Sequence, residues 1–300
     1  GESKSAKAAK SRYRLEPLRI GQHERAALEA SGNGQMNGFD PHDLADIHNH
    51  LVPGVDDGAR TMGEAIRHLC SLHAAGVTRL AVSPHLDARM VHESGALHER
   101  LKRLEGAFNE LMHVCSTRPD VPRLVFGQEL LTPDPDTARK VFADERVGIA
   151  GTRYALIEFG FDLPGDPAGV VRAAIAAGRR PIVAHPERYR RDKGRVTVEE
   201  NRSWKEAGAL LQVNGGSILG EYAEGIREIG LRLLAEGLVD LIATDSHADA
   251  RPVSPADVGQ ALARRGLRRQ ARLLLSENPQ RILADRDTLP VPGQQYRATA

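Results

Sequence analysis

Seven short apolar runs recur along this 300-residue chain, each separated from the next by a segment of helical length. They are Leu44–His48, Leu80–Ser83, Leu124–Gly127, Tyr154–Phe159, Ile182–His185, Leu210–Val213 and Leu241–Thr244. Strands that alternate with helices predict an α/β fold built on a parallel sheet. The helices are well signalled. Thr61 and Glu64 have capping-box spacing and open a helix with Ala65, Ile66, Leu69 and Leu72 inward. Leu97, Leu101, Leu104, Phe108 and Leu111 form the stripe of a longer one. Gly76 and Gly178 stand where C-cap glycines belong, and the last helix pair is expected to end near Leu283. Seven repeats with no midway linker favour closure into a barrel over an open sheet.

The runs end in residues that the interior of a parallel sheet would avoid. The first ends His48-Asn49-His50, and its following loop carries Asp56-Asp57-Gly58. Histidines two apart at a strand end point the same way. The second run ends in His85, the third in Gln128-Glu129, the fifth in His185-Pro186-Glu187-Arg188, and the seventh in Asp245-Ser246-His247. Glu158 lies inside the apolar stretch ALIEFG, where an unpaired carboxylate is costly. A single strand-end histidine is more often a satisfied core residue, and a strand-end aspartate often caps the next helix. In a barrel, however, all strand carboxyl ends meet at one rim. So many titratable groups at one mouth call for neutralising cations. Mixed imidazole and carboxylate donors suit Mn, Fe, Zn, Co or Ni rather than Ca or Mg, and the absence of cysteine argues against structural zinc. The donors exceed what one ion needs, so two or three are expected.

Composition narrows the field. Apolar residues at 41% and charged residues at 27% permit a sizeable core and exclude wholesale disorder. Lys plus Arg at 41 against Asp plus Glu at 40, with 4% aromatics, argues against dedicated nucleic-acid binding. Two cysteines make no disulfide framework, which favours a reducing, cytoplasmic compartment. No run approaches membrane-spanning length, and the basic start GESKSAKAAKSR has no apolar segment of a secretory signal behind it. The expected organisation is a flexible basic arm over 1–40, a folded domain over 41–288, and a Pro/Gly/Gln-rich tail over 289–300.

The stretches DIHNHLVPGVDDGART, SPHLD, GQEL, YALIEF, PIVAHPERY, LLQVNGGSILG, LVDLIATDSHADARP and ENPQRIL, over about 44–285, together resemble the polymerase and histidinol phosphatase (PHP) superfamily. Within it the chain closely resembles the bacterial capsule-type tyrosine-protein phosphatases of the CpsB/YwqE branch. The resemblance implies a distorted (βα)7 TIM-like barrel and a three-metal site, with manganese first and Fe, Co or Zn as alternatives. Carried over by position, it implies one ion on His48, His50, Glu129 and Asp245. A second would lie on Glu129, Glu158 and His185, and a third on Asp57, His85 and His247. It also implies Arg188 and Arg251 as catalytic residues on the substrate phosphate.

The implied substrate is the phosphotyrosine tail of a bacterial tyrosine kinase of capsule or exopolysaccharide synthesis. Cations acidify water into a nucleophile near neutral pH, and tyrosine, with a solution pKa of about 10, leaves with less help than an alkoxide. A cysteine mechanism is not supported, because Cys70 and Cys115 fall on helical segments away from the rim and no C-x5-R motif occurs. Three rivals stand beside this: a PHP hydrolase of a small ester such as histidinol phosphate, a phosphodiesterase, and a metal-holding interaction module. Two motifs depart from the family pattern. His85 is followed by Leu-Asp, and the sixth run reads QVNGGS rather than QxTAGS.

Overall fold

The computed structural model describes residues 39–293 except 164, 192 and 193. The predicted arm over 1–40, save its last two residues, and positions 294–300 of the tail lie outside the described residues. Phe39 is buried in the core, and its backbone exchanges hydrogen bonds with the Gln260 side chain (3.3 and 2.8 Å).

All seven predicted strands form. The first half of the chain gives β1 (Leu44–Asp46), α1 (Met62–Ala74), β2 (Val77–Val82), β3 (His85–Asp87) and α2 (Ala96–Cys115). It continues with β4 (Arg123–Phe126), β5 (Glu129–Leu131), α3 (Pro135–Val141), β6 (Tyr154–Glu158), α4 (Pro167–Ala176) and β7 (Arg180–Ala184). A short antiparallel hairpin follows, β8 (Arg190–Arg191) with β9 (Gly194–Arg195). Then come α5 (Val198–Glu206), β10 (Leu210–Asn214), α6 (Gly215–Leu219), α7 (Glu224–Ala235), β11 (Leu241–Ala243), α8 (Pro255–Arg264), α9 (Arg268–Arg272) and α10 (Asn278–Ile282).

The larger strands pair in parallel, as β1-β2-β4 and as β11-β10-β7-β6-β5-β3. The sequence did not announce β3 and β5. Each continues the strand before it after a two-residue break, Ser83-Pro84 and Gly127-Gln128. At the first break, Pro84 has no N–H to give the ladder, and pairing resumes beyond it. Backbone bonds also join the segments that follow β1 and β11: Asp245 N–H donates to His48 C=O (2.7 Å) and His50 N–H to Ser246 C=O (2.8 Å).

Alternate strand residues pack into different clusters. Leu156, Ile182, Ala184, Leu210 and Leu241 pack with one another and with Ile282 and Leu283. Ala155, Ile157, Val183, Leu211, Val213 and Ile242 pack in the cluster that holds the helix side chains. Cover on both faces explains why the strands read as continuous apolar runs. On α1, Ala65, Leu69 and Leu72 are buried and Ile66 is half-buried. Its cap is half of a capping box: Thr61 Oγ1 accepts from Glu64 N–H (3.2 Å), but the Glu64 carboxylate takes Arg60 N–H (3.0 Å). Gly76 and Gly178 adopt the left-handed conformation their cap positions need. No helix among the described residues is long and apolar enough to cross a membrane.

Candidate metal centre

The period of two along β6 and β11 carries the side of Leu156 on to Glu158 and that of Leu241 on to Asp245. At the carboxyl ends of the strands these side chains meet the others singled out in the sequence. Glu129, at the start of β5, is fully enclosed. Its Oε1 lies 3.2 Å from His48 Nε2 and 2.9 Å from His185 Nε2, and its Oε2 lies 3.0 Å from His85 Nδ1 and 3.3 Å from His50 Nε2. Asp245 Oδ1 lies 3.4 Å from both His48 Nε2 and His50 Nε2. Glu158 Oε2 is 3.5 Å from His185 Nε2. Asp57 Oδ1, from the loop after β1, reaches His85 Nε2 (3.4 Å) and His247 Nε2 (3.3 Å). That loop turns back tightly: a Cβ on Gly58 would stand 2.0 Å from the His50 carbonyl, so only glycine fits.

The structure thus brings all nine sequence-derived donors together. Their ligand atoms form overlapping groups, each within 4.8 Å: His48, His50 and Glu129; His48, His185 and Asp245; His85, Glu129 and Glu158; and His50, Asp57, His85 and His247. His185 therefore also groups with His48, and His50 joins Asp57, which differs in detail from the sets the family resemblance implies. His185 (φ 34°) and Asp245 (φ 49°) hold left-handed backbone conformations that non-glycine residues seldom adopt. Such strain persists where the surroundings over-determine it, and it clusters at functional sites.

The donor set fits metal ions. His48 Nε2, His50 Nε2 and His247 Nε2 are buried, face carboxylate oxygens of the cluster, and make no well-aligned hydrogen bond there. Three of the rings are anchored from behind. His48 Nδ1 meets Gln212 Oε1 (2.7 Å), His50 Nδ1 meets Asp56 Oδ2 (2.8 Å), and His247 Nδ1 meets the Asp245 carbonyl (3.0 Å). Outer partners of this kind fix ring orientation at metal sites and leave the other nitrogen free to ligate.

Electrostatics tells the same story. Burial pushes the His48 imidazole down, yet Glu129 and Asp245 more than reverse this and hold it at about 9. His50 is driven up in the same way against its own burial by Asp245, Asp56 and Glu129. Burial would raise Glu129 and Asp245, but the surrounding imidazoles keep both well below the carboxylate range. Burial, helped by the Glu129 charge, raises Glu158. His247 is pushed down to about 4, first by burial and then by the His50 charge. Without cations, protons on buried imidazoles balance the carboxylates. A site arranged this way is one that cations complete.

Arg188 and Arg251 converge on the other oxygen of Asp245. Their Nη1 atoms lie 2.6 and 3.3 Å from Oδ2, with side chains 15% and 27% exposed. The sequence reading gave the supporting residues no role. Asp46 receives Thr244 N–H (3.0 Å), Thr244 Oγ1 (2.7 Å) and Asn49 Nδ2 (3.2 Å), tying the ends of β1 and β11 together. Gln212 Nε2 donates to Asn214 Oδ1 (2.8 Å), and Asn214 Nδ2 donates to Asp245 Oδ2 (2.6 Å), which completes a relay from His48 to Asp245. Glu187 accepts from Asn214 N–H (2.9 Å) and Ser217 Oγ (2.7 Å). For Asp46 a signal existed, since D-x-H-x-H continues the spacing of the two histidines.

The class these features define is that of parallel α/β proteins with a histidine–carboxylate donor cluster at the carboxyl ends of their strands. Within it, the chain belongs to the CpsB/CapC family of capsular polysaccharide synthesis, whose model matches residues 44–284. It is 29% identical over 214 residues to the putative tyrosine-protein phosphatase CapC of Staphylococcus aureus, covering 68% of this chain and 77% of that protein. It is 28% identical over 213 residues to the tyrosine-protein phosphatase YwqE of Bacillus subtilis, with the same coverage of 68% and 77%. Against the tyrosine-protein phosphatase CpsB of Streptococcus pneumoniae it is 24% identical over 249 residues, covering 81% and 99%. The fold matches a chain from the crystal structures of YwqE and CpsB, described as unique metal-dependent tyrosine phosphatases. The TM-score is 0.65 at 23% identity, covering 84% of this chain and 100% of that one.

Proposed function

We propose that this protein is a metal-dependent protein-tyrosine phosphatase. Its substrate would be a phosphotyrosine borne by a tyrosine kinase of capsule or exopolysaccharide synthesis. The observation that carries the reading is the convergence of nine donors, drawn from strand ends far apart in sequence, in a family whose named relatives are tyrosine-protein phosphatases. His48, His50, Asp57, His85, Glu129, Glu158, His185, Asp245 and His247 would hold two or three divalent cations, with manganese first. When bound, such ions acidify water and draw off charge that develops on the phosphoryl oxygens.

The remaining chemistry belongs to the chain. Arg188 and Arg251 offer planar N–H forks at the mouth and bind the non-bridging phosphate oxygens, where negative charge grows in the transition state. Water attacks phosphorus opposite the tyrosyl oxygen, the P–O(aryl) bond breaks, and the phenolate leaves. The relay through Gln212 and Asn214 keeps His48 and Asp245 oriented throughout. The resumption of parallel pairing in β3 and β5 after their two-residue breaks, with the bonds from 48–50 to 245–246, supports a distorted seven-stranded TIM-like barrel whose rim is this site. The free Cys70 and Cys115 fit a cytoplasmic setting.

The test is to strip the protein with chelator, restore Mn, and assay a phosphotyrosyl peptide beside bis-p-nitrophenyl phosphate. The expected result is monoester hydrolysis only after metal is restored. Hydrolysis of the diester alone, or of neither, contradicts the reading.

A further inference from the structure

Two phenylalanines flank Gly160 and meet opposite fates. Phe159 is buried, 5.5 Å from the Tyr189 ring and 5.4 Å from Trp204. Phe161 is 44% exposed. In a continuing strand the two side chains would share a face. Gly160 sits at φ +81°, where a side chain is disfavoured, and the alternation ends there. Phe161 instead comes to the mouth of the donor cluster. Its ring lies nearly parallel to His185, with centroids 5.9 Å apart, and the Arg188 guanidinium sits 4.7 Å from its centroid. Tyr222 takes the Arg188 guanidinium at 5.2 Å from its own ring.

The position is held by backbone. The Phe161 carbonyl accepts from Arg190 N–H (2.7 Å), and Leu163 N–H donates to the Arg190 carbonyl (3.0 Å), so this loop is stitched to the segment that carries Arg188. The other large apolar side chains exposed among the described residues are Met112 and Val114 on α2 and Ile175 on α4. Phe161 differs in lying against two residues of the site. An exposed ring fixed beside a phosphate-binding guanidinium offers a flat apolar partner at the distance where an ester's organic group must emerge.

We propose that Phe161 is the specificity-determining residue of the site. It stacks against the phosphorylated ring of the substrate while Arg188 and Arg251 hold the phosphate, and so selects aryl over alkyl phosphomonoesters. The proposal rests on the phosphatase reading and names the substrate class of the same site. Aryl esters also react faster because phenolate leaves more easily, so turnover ratios alone cannot isolate stacking. Binding of non-hydrolysable phosphonates can.

The experiment uses the full chain loaded with Mn, and calorimetric titration of phenylphosphonate and methylphosphonate into wild type, Phe161→Ala and Phe161→Trp. The side chain is nearly half exposed, so neither substitution is expected to disturb folding, and circular dichroism checks this. In Phe161→Ala the Kd for phenylphosphonate should rise about five- to tenfold, while methylphosphonate binding is unchanged. Phe161→Trp should restore phenylphosphonate affinity, and kcat/KM for p-nitrophenyl phosphate should follow the same order. Equal weakening of both phosphonates, or no change in either, overturns the proposal. If wild type hydrolyses no ester, the phosphatase reading fails by itself. A selective loss of phenylphosphonate binding in Phe161→Ala would then still establish the aryl site.

Discussion

Two buried carboxylates at opposite ends of the parallel strands make an instructive pair. Asp240, just before β11, is raised by burial but fully answered by its own chain. Both its oxygens meet Lys205 Nζ (2.7 and 2.6 Å), and Leu211 N–H adds a third bond (2.8 Å). Glu129, at the carboxyl ends, is answered only by imidazoles, which crowd its Oε1 at 2.9 and 3.2 Å and its Oε2 at 3.0 and 3.3 Å. The protein finishes the first site and leaves the second to be finished from outside. A satisfied buried charge is architecture, whereas one that faces other unsatisfied donors marks a ligand.

The sharpest way to break the comparison is to remove each carboxylate in turn. Glu129→Ala should lose most bound metal, and turnover should fall by about a thousandfold or more, with the fold intact by circular dichroism. Unchanged metal content by elemental analysis would reject Glu129 as a shared ligand. Arg188→Ala and Arg251→Ala should each lower kcat/KM by about a hundredfold while metal content stays the same, which separates phosphate binding from metal binding. Asp240→Ala should do the reverse. It leaves an unpaired lysine beside the strand ends, so it should cost about 2 kcal/mol and several degrees of Tm without changing the metal count. A fall in metal content in that variant would mean the two ends are not independent.

Protons sharpen the contrast further. His48, held at about 9 before metal binds, is charged at pH 7 and must give up its proton to ligate. Metal entry therefore releases protons, and affinity should rise with pH until that proton is gone. Titration of Mn in buffers of different ionisation enthalpy measures the release; heats that do not depend on the buffer would contradict it. The smallest effect is expected from deletion of residues 1–38, which should leave turnover on small aryl phosphates unchanged. A collapse there would make the arm part of the site.

Much of this was legible in the sequence because burial on both strand faces writes itself as apolar runs, and because the donors stand where those runs stop. The strand-end histidines and carboxylates stand out in the sequence itself, but the choice of Asp57 beside Asp56, and the omission of Glu187, came from the family resemblance. The breaks at Ser83-Pro84 and Gly127-Gln128 hid β3 and β5, since a proline or glycine after an apolar run reads as its end. Gln212, Asn214 and Glu187 lie in motifs visible in the sequence but carried no role there, because amides and a lone glutamate have no signature until their partners are known. Arg251 carries no signal of its own apart from the family pattern; the fold brings its Nη1 to 3.3 Å from Asp245 Oδ2. Phe161 was missed for the opposite reason. Its sequence context matches that of the buried Phe159, and only the left-handed Gly160 between them separates a core ring from one at the mouth.

Anomalous scattering from a Mn-soaked crystal tests the central claim most directly. Two or three peaks should stand among His48, His50, Asp57, His85, Glu129, Glu158, His185, Asp245 and His247, within bonding distance of their free nitrogens and oxygens. Peaks elsewhere on the surface, or none among these side chains at saturating Mn, would contradict it.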